Sequence, residues 1–355
     1  MNQVLDRPQA HTLAVLPDGA TGPEGLTVGP DGNLYVGTFG YNAQGEVGGN
    51  GQLYVFTPDG DLIRQISVAD STPHLLGLAF QPETGRLLVL DAGAAVVREV
   101  DPVDGSSSVF MTLATLTATA TPNGIAFDGD GDVFVADSAQ GIVWTAGRDG
   151  GAGRVWVQDP LLTTDLVPPF GANGIAFNHD FSATFVTNTG NDTILRIPVQ
   201  ADGEPGTVSV LTNSVNGADG IIIDADDNLW IAANQNDEID VVDPTGKLLA
   251  RLGDFGGIHD GTPLGLLFPA TPAFSADGHS LYVTNLAIDL RALNIQQAVD
   301  SQWAAQVRHY TVSRIELYGQ DGYMPDLLTA TGSDVAQDPT AMAYTFLNHD
   351  QVFPG

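Results

Sequence analysis

Short runs of alternating apolar and polar residues recur along the chain, punctuated by Gly, Asp, Asn and Pro. Such runs predict β-strands joined by tight turns. The stretch PNGIAFDGDGDVFVAD, from Pro122 to Asp137, shows the unit: an apolar strand, an Asp/Gly turn and a second alternating strand. Only Asn123 is out of place, a polar amide directly before a strand that reads as buried.

The unit occurs six times, as PEGLTVGPDGNLYVGT, LLGLAFQPETGRLLVLD, PNGIAFDGDGDVFVAD, ANGIAFNHDFSATFVTN, ADGIIIDADDNLWIAAN and PLGLLFPATPAFSADGHSLYVTN. The residue before the shared Gly is Glu24, Leu76, Asn123, Asn173, Asp219 and Leu264, at intervals of 52, 47, 50, 46 and 45 residues. Further strand-like runs follow each pair, such as GQLYVFT with DLIRQISV, and DTILRIPV with GTVSVLT. Repeats of this length built from short strands predict an all-β, six-bladed β-propeller with four antiparallel strands per blade, spanning residues 1–355 as one unit. The last blade has HYTVSRIELY as its third strand, and HTLAVL near the N-terminus is predicted as its fourth, closing the ring without an exposed edge. Two segments fall outside the repeat. Residues 286–308 have helical spacing, and the tail from Gln320 is polar and irregular.

In a propeller the first strand of each blade lines the central channel, so the six residues before those strands form a ring at one mouth. Four of them carry oxygen: Glu24, Asn123, Asn173 and Asp219. The second strands end at the same mouth with Thr38, Asp91, Asp137, Asn188, Ala233 and Asn285; of these, Asp91, Asp137, Asn188 and Asn285 are expected to orient the inner ring. Asn and Asp before Gly also suit left-handed turns, which accounts for any one of them but not for Glu24. A buried polar ring needs a partner. With only oxygen donors offered, calcium is expected at Glu24, Asn123, Asn173 and Asp219, in preference to magnesium with its stricter octahedron.

Composition narrows the function. The 43 acidic residues outnumber 12 basic ones, for a net charge of −31, and Lys247 is the single lysine. That balance argues against nucleic acid and anionic membranes as partners, and favours a soluble monomer acting on a small molecule. There is no cysteine, so no disulfide or thiolate chemistry, and no apolar run long enough to span a bilayer. The start, MNQVLDRPQAHT, lacks a signal-peptide core, which fits a cytoplasmic protein or a secreted one with its signal removed. DGDGD (128–132) and DADDN (224–228) mimic calcium loops but fall at tight turns and lack the distal Glu, so they read as turns. No Gly-x-Ser-x-Gly elbow or phosphate-binding loop is present. Among the histidines, His74 and His259 lie in segments leading to the ring, and His259, beside Asp260, is the candidate for assisting proton transfer. Phe39, Leu76, Phe170, Leu264 and Trp303 are expected as apolar walls of a substrate pocket above the metal.

PEGL at Glu24, PNGI at Asn123, NGIAF at Asn173 and ADGI at Asp219 resemble, in order and spacing, the six-bladed calcium-dependent hydrolases: the senescence marker protein/gluconolactonase group, the diisopropylfluorophosphatases and, more distantly, the paraoxonases. The likeness covers about residues 11–318. It implies a calcium held by these four residues, a metal-polarised lactone carbonyl or phosphoryl oxygen, and Asp219 as base or nucleophile. Leu76 and Asp91 stand where paraoxonases carry histidine, and Gly220 follows the Asp, so a paraoxonase-type His dyad is absent. The expected activity is calcium-dependent hydrolysis of a lactone or related ester. The rivals are a fluorophosphatase or phosphotriesterase, a metal-dependent lyase or isomerase, and a non-enzymatic binding propeller.

Overall fold

The structure, a computed structural model, describes residues 7–295 and 300–317. It is a six-bladed β-propeller, each blade built on four antiparallel strands, the second extended at its outer edge by a two-residue parallel strand, Gly151–Ala152. The inner strands are Pro23–Val28, Leu75–Phe80, Pro122–Phe127, Ala172–Phe177, Ala218–Ile223 and Pro269–Phe274. The second strands, such as Leu34–Thr38, Leu87–Asp91 and Val133–Asp137, are buried at every position. Blades pack on both faces of these strands, which explains their near-continuous apolar character. Six apolar clusters fill the six interfaces between neighbouring blades; Trp230, Val241, Leu281 and Val283, for example, join the fifth blade to the sixth.

The N-terminal strand Ala10–Val15 pairs antiparallel with Thr311–Glu316 and completes the sixth blade, as the sequence predicts. The turns opposite the ring are held by their own aspartates. Asp128 Oδ1 accepts from the N–H groups of Asp130 and Asp132 (3.0 and 2.9 Å), and Asp224 Oδ1 accepts from those of Asp226 and Asn228 (3.0 and 2.9 Å). These side chains serve the turns, as expected.

Two expectations need correction. The sixth inner strand begins at Pro269, not near Leu264: Thr262–Gly265 instead forms a separate hairpin with Phe255–His259. The sixth ring position is therefore Ala270, followed by Thr271 where every other blade has Gly. That missing Gly is what diverted the repeat to PLGLL. Within 286–308, the described residues form one 3-10 turn, Leu290–Leu293, and one α-turn, Ser301–Ala304, rather than a continuous helix. Asn294, left-handed at φ 63°, ends the first turn. The tail from Gln320 lies outside the described residues. No described helix is long and apolar enough to cross a membrane.

Candidate metal centre

Every inner strand carries the same irregularity. In the first blade Pro23 pairs with Thr38 and Leu26 with Val36, so Glu24 and Gly25 together oppose Gly37. The other five blades repeat this two-against-one bulge at the same place. A bulge re-aims a side chain out of the sheet's alternation. The ring residues are thus strand residues at a bulge, and none of them has a positive φ. The left-handed-turn explanation of Asn-Gly and Asp-Gly does not apply.

The glycines have another task. A Cβ on Gly124 would lie 2.3 Å from the Asn173 carbonyl oxygen, and one on Gly174 would lie 2.6 Å from that of Asp219. Gly25, Gly77 and Gly220 abut the ring carbonyls of Leu76, Asn123 and Ala270 in the same way. Blade meets blade through backbone here, which draws the ring residues toward the axis. Between the sixth and first blades a side chain does this work: Thr284 Oγ1 donates to the Glu24 carbonyl at 2.7 Å.

Glu24, Asn123, Asn173 and Asp219 are all buried. The side-chain amides are oriented by hydroxyls. Ser138 Oγ donates its one hydrogen to the Ala172 carbonyl (2.7 Å), so it can only accept from Asn123 Nδ2 (3.2 Å). Thr189 Oγ1 likewise donates to the Ala218 carbonyl (2.8 Å) and accepts from Asn173 Nδ2 (2.9 Å). With its nitrogen so engaged, each amide keeps its oxygen as the free donor atom. Asn234 Nδ2 donates to Asp219 Oδ2 at 2.9 Å, and Gln235 fixes the Asn234 oxygen (3.1 Å).

The two carboxyl groups are left incomplete. Glu24 Oε2 and Asp219 Oδ1 are buried without a hydrogen-bond partner. Burial first, and then the negative charge of Asp219, pushes the Glu24 carboxyl well above its usual range. Burial raises Asp219 to about 7, opposed by the Asn234 hydrogen bond and by the polar N–H groups of Asn173 and Gly220 nearby. Two buried acids and two oriented amide oxygens, with no basic group among these influences, form a donor set that suits a hard divalent cation. Among the described residues no cluster of three or more His, Cys, Asp or Glu has metal-binding spacing; this set has two carboxylates and completes itself with amides.

The cavity reached by the ring, about 250 Å3, runs down the channel between the inner strands. Glu24, Asn123 and Asn173 line its ring end, and Val28, Ile125, Ile175, Ile223 and Phe274 line its walls. None of the expected pocket residues lines it. Leu76 is buried at its ring position; Phe39 and Phe170 are half-buried in connecting segments. Leu264 and Trp303 are exposed, Trp303 edge-on to Phe255 at 5.5 Å between ring centres. His259 sits at the tip of the 255–265 hairpin with its side chain 77% exposed, beside Asp260 at 3.5 Å, and the structure does not bring it to the buried ring. His74 stacks on Tyr41, its Nδ1 against the Phe39 carbonyl (2.8 Å) and its Nε2 against Glu46 (3.1 Å).

The four residues expected to orient the ring are engaged elsewhere. Asp91 pairs with Arg98 (2.8 Å) and takes the Thr72 hydroxyl. Asp137 accepts from Trp144 Nε1 and Gln140 Nε2 (3.0 and 2.8 Å). Asn188 donates to the Leu161 and Thr163 carbonyls (2.9 Å each), and Asn285 to Thr311 and Ser313 (2.9 Å each). Parity explains the shift. Asp137 pairs directly with Pro122 and shares its face, whereas Asn123 faces the other way, with Ser138. The orienting residues missed from sequence, Ser138, Thr189 and Asn234, all stand one place beyond the strand ends that were singled out.

The chain matches the SMP-30/Gluconolactonase/LRE-like region over residues 10–161 and 170–287. Among solved structures it is similar to regucalcin, a calcium-binding protein from Agrobacterium tumefaciens, at 17% identity, with 85% of this chain and 94% of that one covered and a TM-score of 0.60. A gluconolactonase from Xanthomonas campestris gives 18% identity, 78% and 86% coverage and a TM-score of 0.59. Virginiamycin B lyase from Staphylococcus aureus, in a catalytically inactive form with quinupristin, gives 18% identity, 78% and 82% coverage and a TM-score of 0.53. At these identities the likeness is one of fold. No curated protein sequence matches the chain.

Proposed function

This chain belongs to the SMP-30/Gluconolactonase/LRE-like family, and from that premise we propose that it is a calcium-dependent hydrolase of lactones or related esters, with Glu24, Asn123, Asn173 and Asp219 as the ligands. The observation that carries the reading is the pair of orphaned carboxylate oxygens, Glu24 Oε2 and Asp219 Oδ1, beside two amides whose nitrogens are already engaged. When bound, calcium supplies a Lewis acid for the substrate carbonyl and the positive charge that keeps both acids ionised.

The chain's own residues do the rest. Asn234 holds the Asp219 carboxylate in orientation through Oδ2, and Asp219 would take the proton of an attacking water or attack the carbonyl itself. Ser138 and Thr189 hold the amide oxygens in place before substrate arrives, so no reorganisation is needed during reaction. The apolar channel wall favours an uncharged ester over a heavily hydroxylated acid.

A panel of aliphatic lactones, aldonolactones, aryl esters and a fluorophosphate, assayed with and without chelator in 18O-labelled water, tests the proposal. Lactone turnover that needs calcium and places one solvent oxygen in the product is expected. Turnover indifferent to the chelator would refute calcium dependence, and turnover without solvent oxygen would indicate a lyase or isomerase.

A further inference from the structure

The acid of the fifth blade is held from the fourth. Three successive residues on the way into the ring, Gly217, Ala218 and Asp219, are each hydrogen-bonded to a side chain at the end of the fourth blade's second strand or in the turn beyond it. Asp192 Oδ1 accepts from the Gly217 N–H at 2.7 Å. Thr189 Oγ1 donates to the Ala218 carbonyl at 2.8 Å, and Thr187 Oγ1 to the Asp219 carbonyl at 2.7 Å. Thr187 also accepts from the Gly174 N–H (2.7 Å), as Thr189 does from Asn173 Nδ2 (2.9 Å), so one strand end serves two ring residues.

We propose that Asp192 is a positioning residue for Asp219, acting through Gly217 and Asn234. This role deepens the function proposed for the ring and rests on it for its effect on calcium and turnover. Gly217 is left-handed at φ 65°, and its carbonyl accepts from the Asn234 N–H at 3.1 Å. A Cβ on Gly217 would lie 2.0 Å from Asn234 Oδ1, so the absent side chain leaves the room in which the Asn234 amide stands. From there Asn234 Nδ2 reaches Asp219 Oδ2 at 2.9 Å. Backbone and side chain of Asn234 are thus both set by where Gly217 lies, and Gly217 is set by Asp192. Asp192 is itself left-handed at φ 57°, and its carbonyl accepts from the Val215 N–H at 3.3 Å, a second tie to the same segment. Small displacements matter here, because moving a reacting group by about 1 Å can cost on the order of a hundredfold in rate.

Asp192→Gly tests this, since glycine accepts the left-handed turn and loses only the carboxylate. Asp192→Asn keeps an Oδ1 acceptor without the charge. Three measurements are compared: calcium affinity by calorimetry, lactone turnover at saturating calcium, and the Asn234 side-chain amide signals in the 15N spectrum of the metal-free protein, assigned by their loss in Asn234→Asp. In Asp192→Gly, calcium should bind about tenfold more weakly, and kcat should fall about tenfold with KM within about twofold. The Asn234 signals should move or broaden, while those of Asn123, held by Ser138, stay. Asp192→Asn should remain within about threefold of the wild type in affinity and kcat. If Asp192→Gly does not fold, Asp192→Glu, which keeps the charge and displaces the acceptor, carries the same measurements.

A lower melting temperature with affinity, kcat and amide signals unchanged would overturn the proposal, leaving Asp192 a purely structural residue. Equal losses in Asp192→Gly and Asp192→Asn would overturn it too, by assigning the effect to charge. A wild type that binds no calcium, with Glu24→Gln without effect, would instead sink the ring reading; the Asn234 signals of the metal-free protein would then decide on Asp192 alone.

Discussion

At the residue scale, the division of labour around Asp219 makes the sharpest prediction. One oxygen is tied to Asn234 and the other is buried and free. Asp219→Asn keeps the size but removes both charge and base, so lactone turnover should fall about a hundredfold or more while circular dichroism stays that of the wild type. Near-normal turnover in that variant would take the role of base away from Asp219. The four polar ring positions were legible in sequence because a repeat aligned them. Their partners were not. Ser138 and Thr189 look like ordinary loop residues, and only the register, which pairs Asp137 with Pro122 and leaves Asn123 on the other face, shows that Ser138 rather than Asp137 is its neighbour.

At the scale of the element, the inner strand is a device for bringing backbones together. Each Gly after a ring residue marks a place where the next blade's carbonyl arrives. Gly124→Ala should therefore cost about 1–3 kcal/mol in denaturant unfolding, since the new methyl meets the Asn173 carbonyl rather than a side chain that can give way. Gly48→Ala, with nothing within 4 Å, should be near neutral, and equal effects would refute the close-packing account. Sequence periodicity located the strands because apolar alternation is a direct imprint of burial. It misplaced the sixth, where Thr271 replaces the Gly and PLGLL imitates the motif in a hairpin. It also read a helix across 286–308, where capping by Asp289 and the left-handed Asn294 limits the first piece to a single turn.

At the scale of the whole molecule, buried acids couple stability to pH and to cations. Asp219, ordinarily near 3.8, is held at about 7, and Glu24, Asp237 and Asp300 are raised as well. The chelated folded protein keeps protons that the unfolded chain releases. The contribution of these four acids is full below about pH 4 and is lost as pH rises through about 7 to 8. Saturating calcium should flatten that decline and raise the melting temperature most at the alkaline end. Melting curves from pH 5 to 8, with and without chelator, read this directly; a chelated protein that grows more stable toward pH 8 would contradict it. The manner of closure bears on how such a protein is made. Because Ala10 must find Ile315, the last blade cannot be finished until Ile315 has left the ribosome, and the nascent protein meanwhile presents an unfinished sheet edge. Glu24 in the first blade and Asp219 in the fifth flank the sixth blade, whose inner strand packs against the inner strands of both. On the function proposed above, an ion that needs both would be captured only once the sixth blade stands between them, so that metal uptake would report a closed ring.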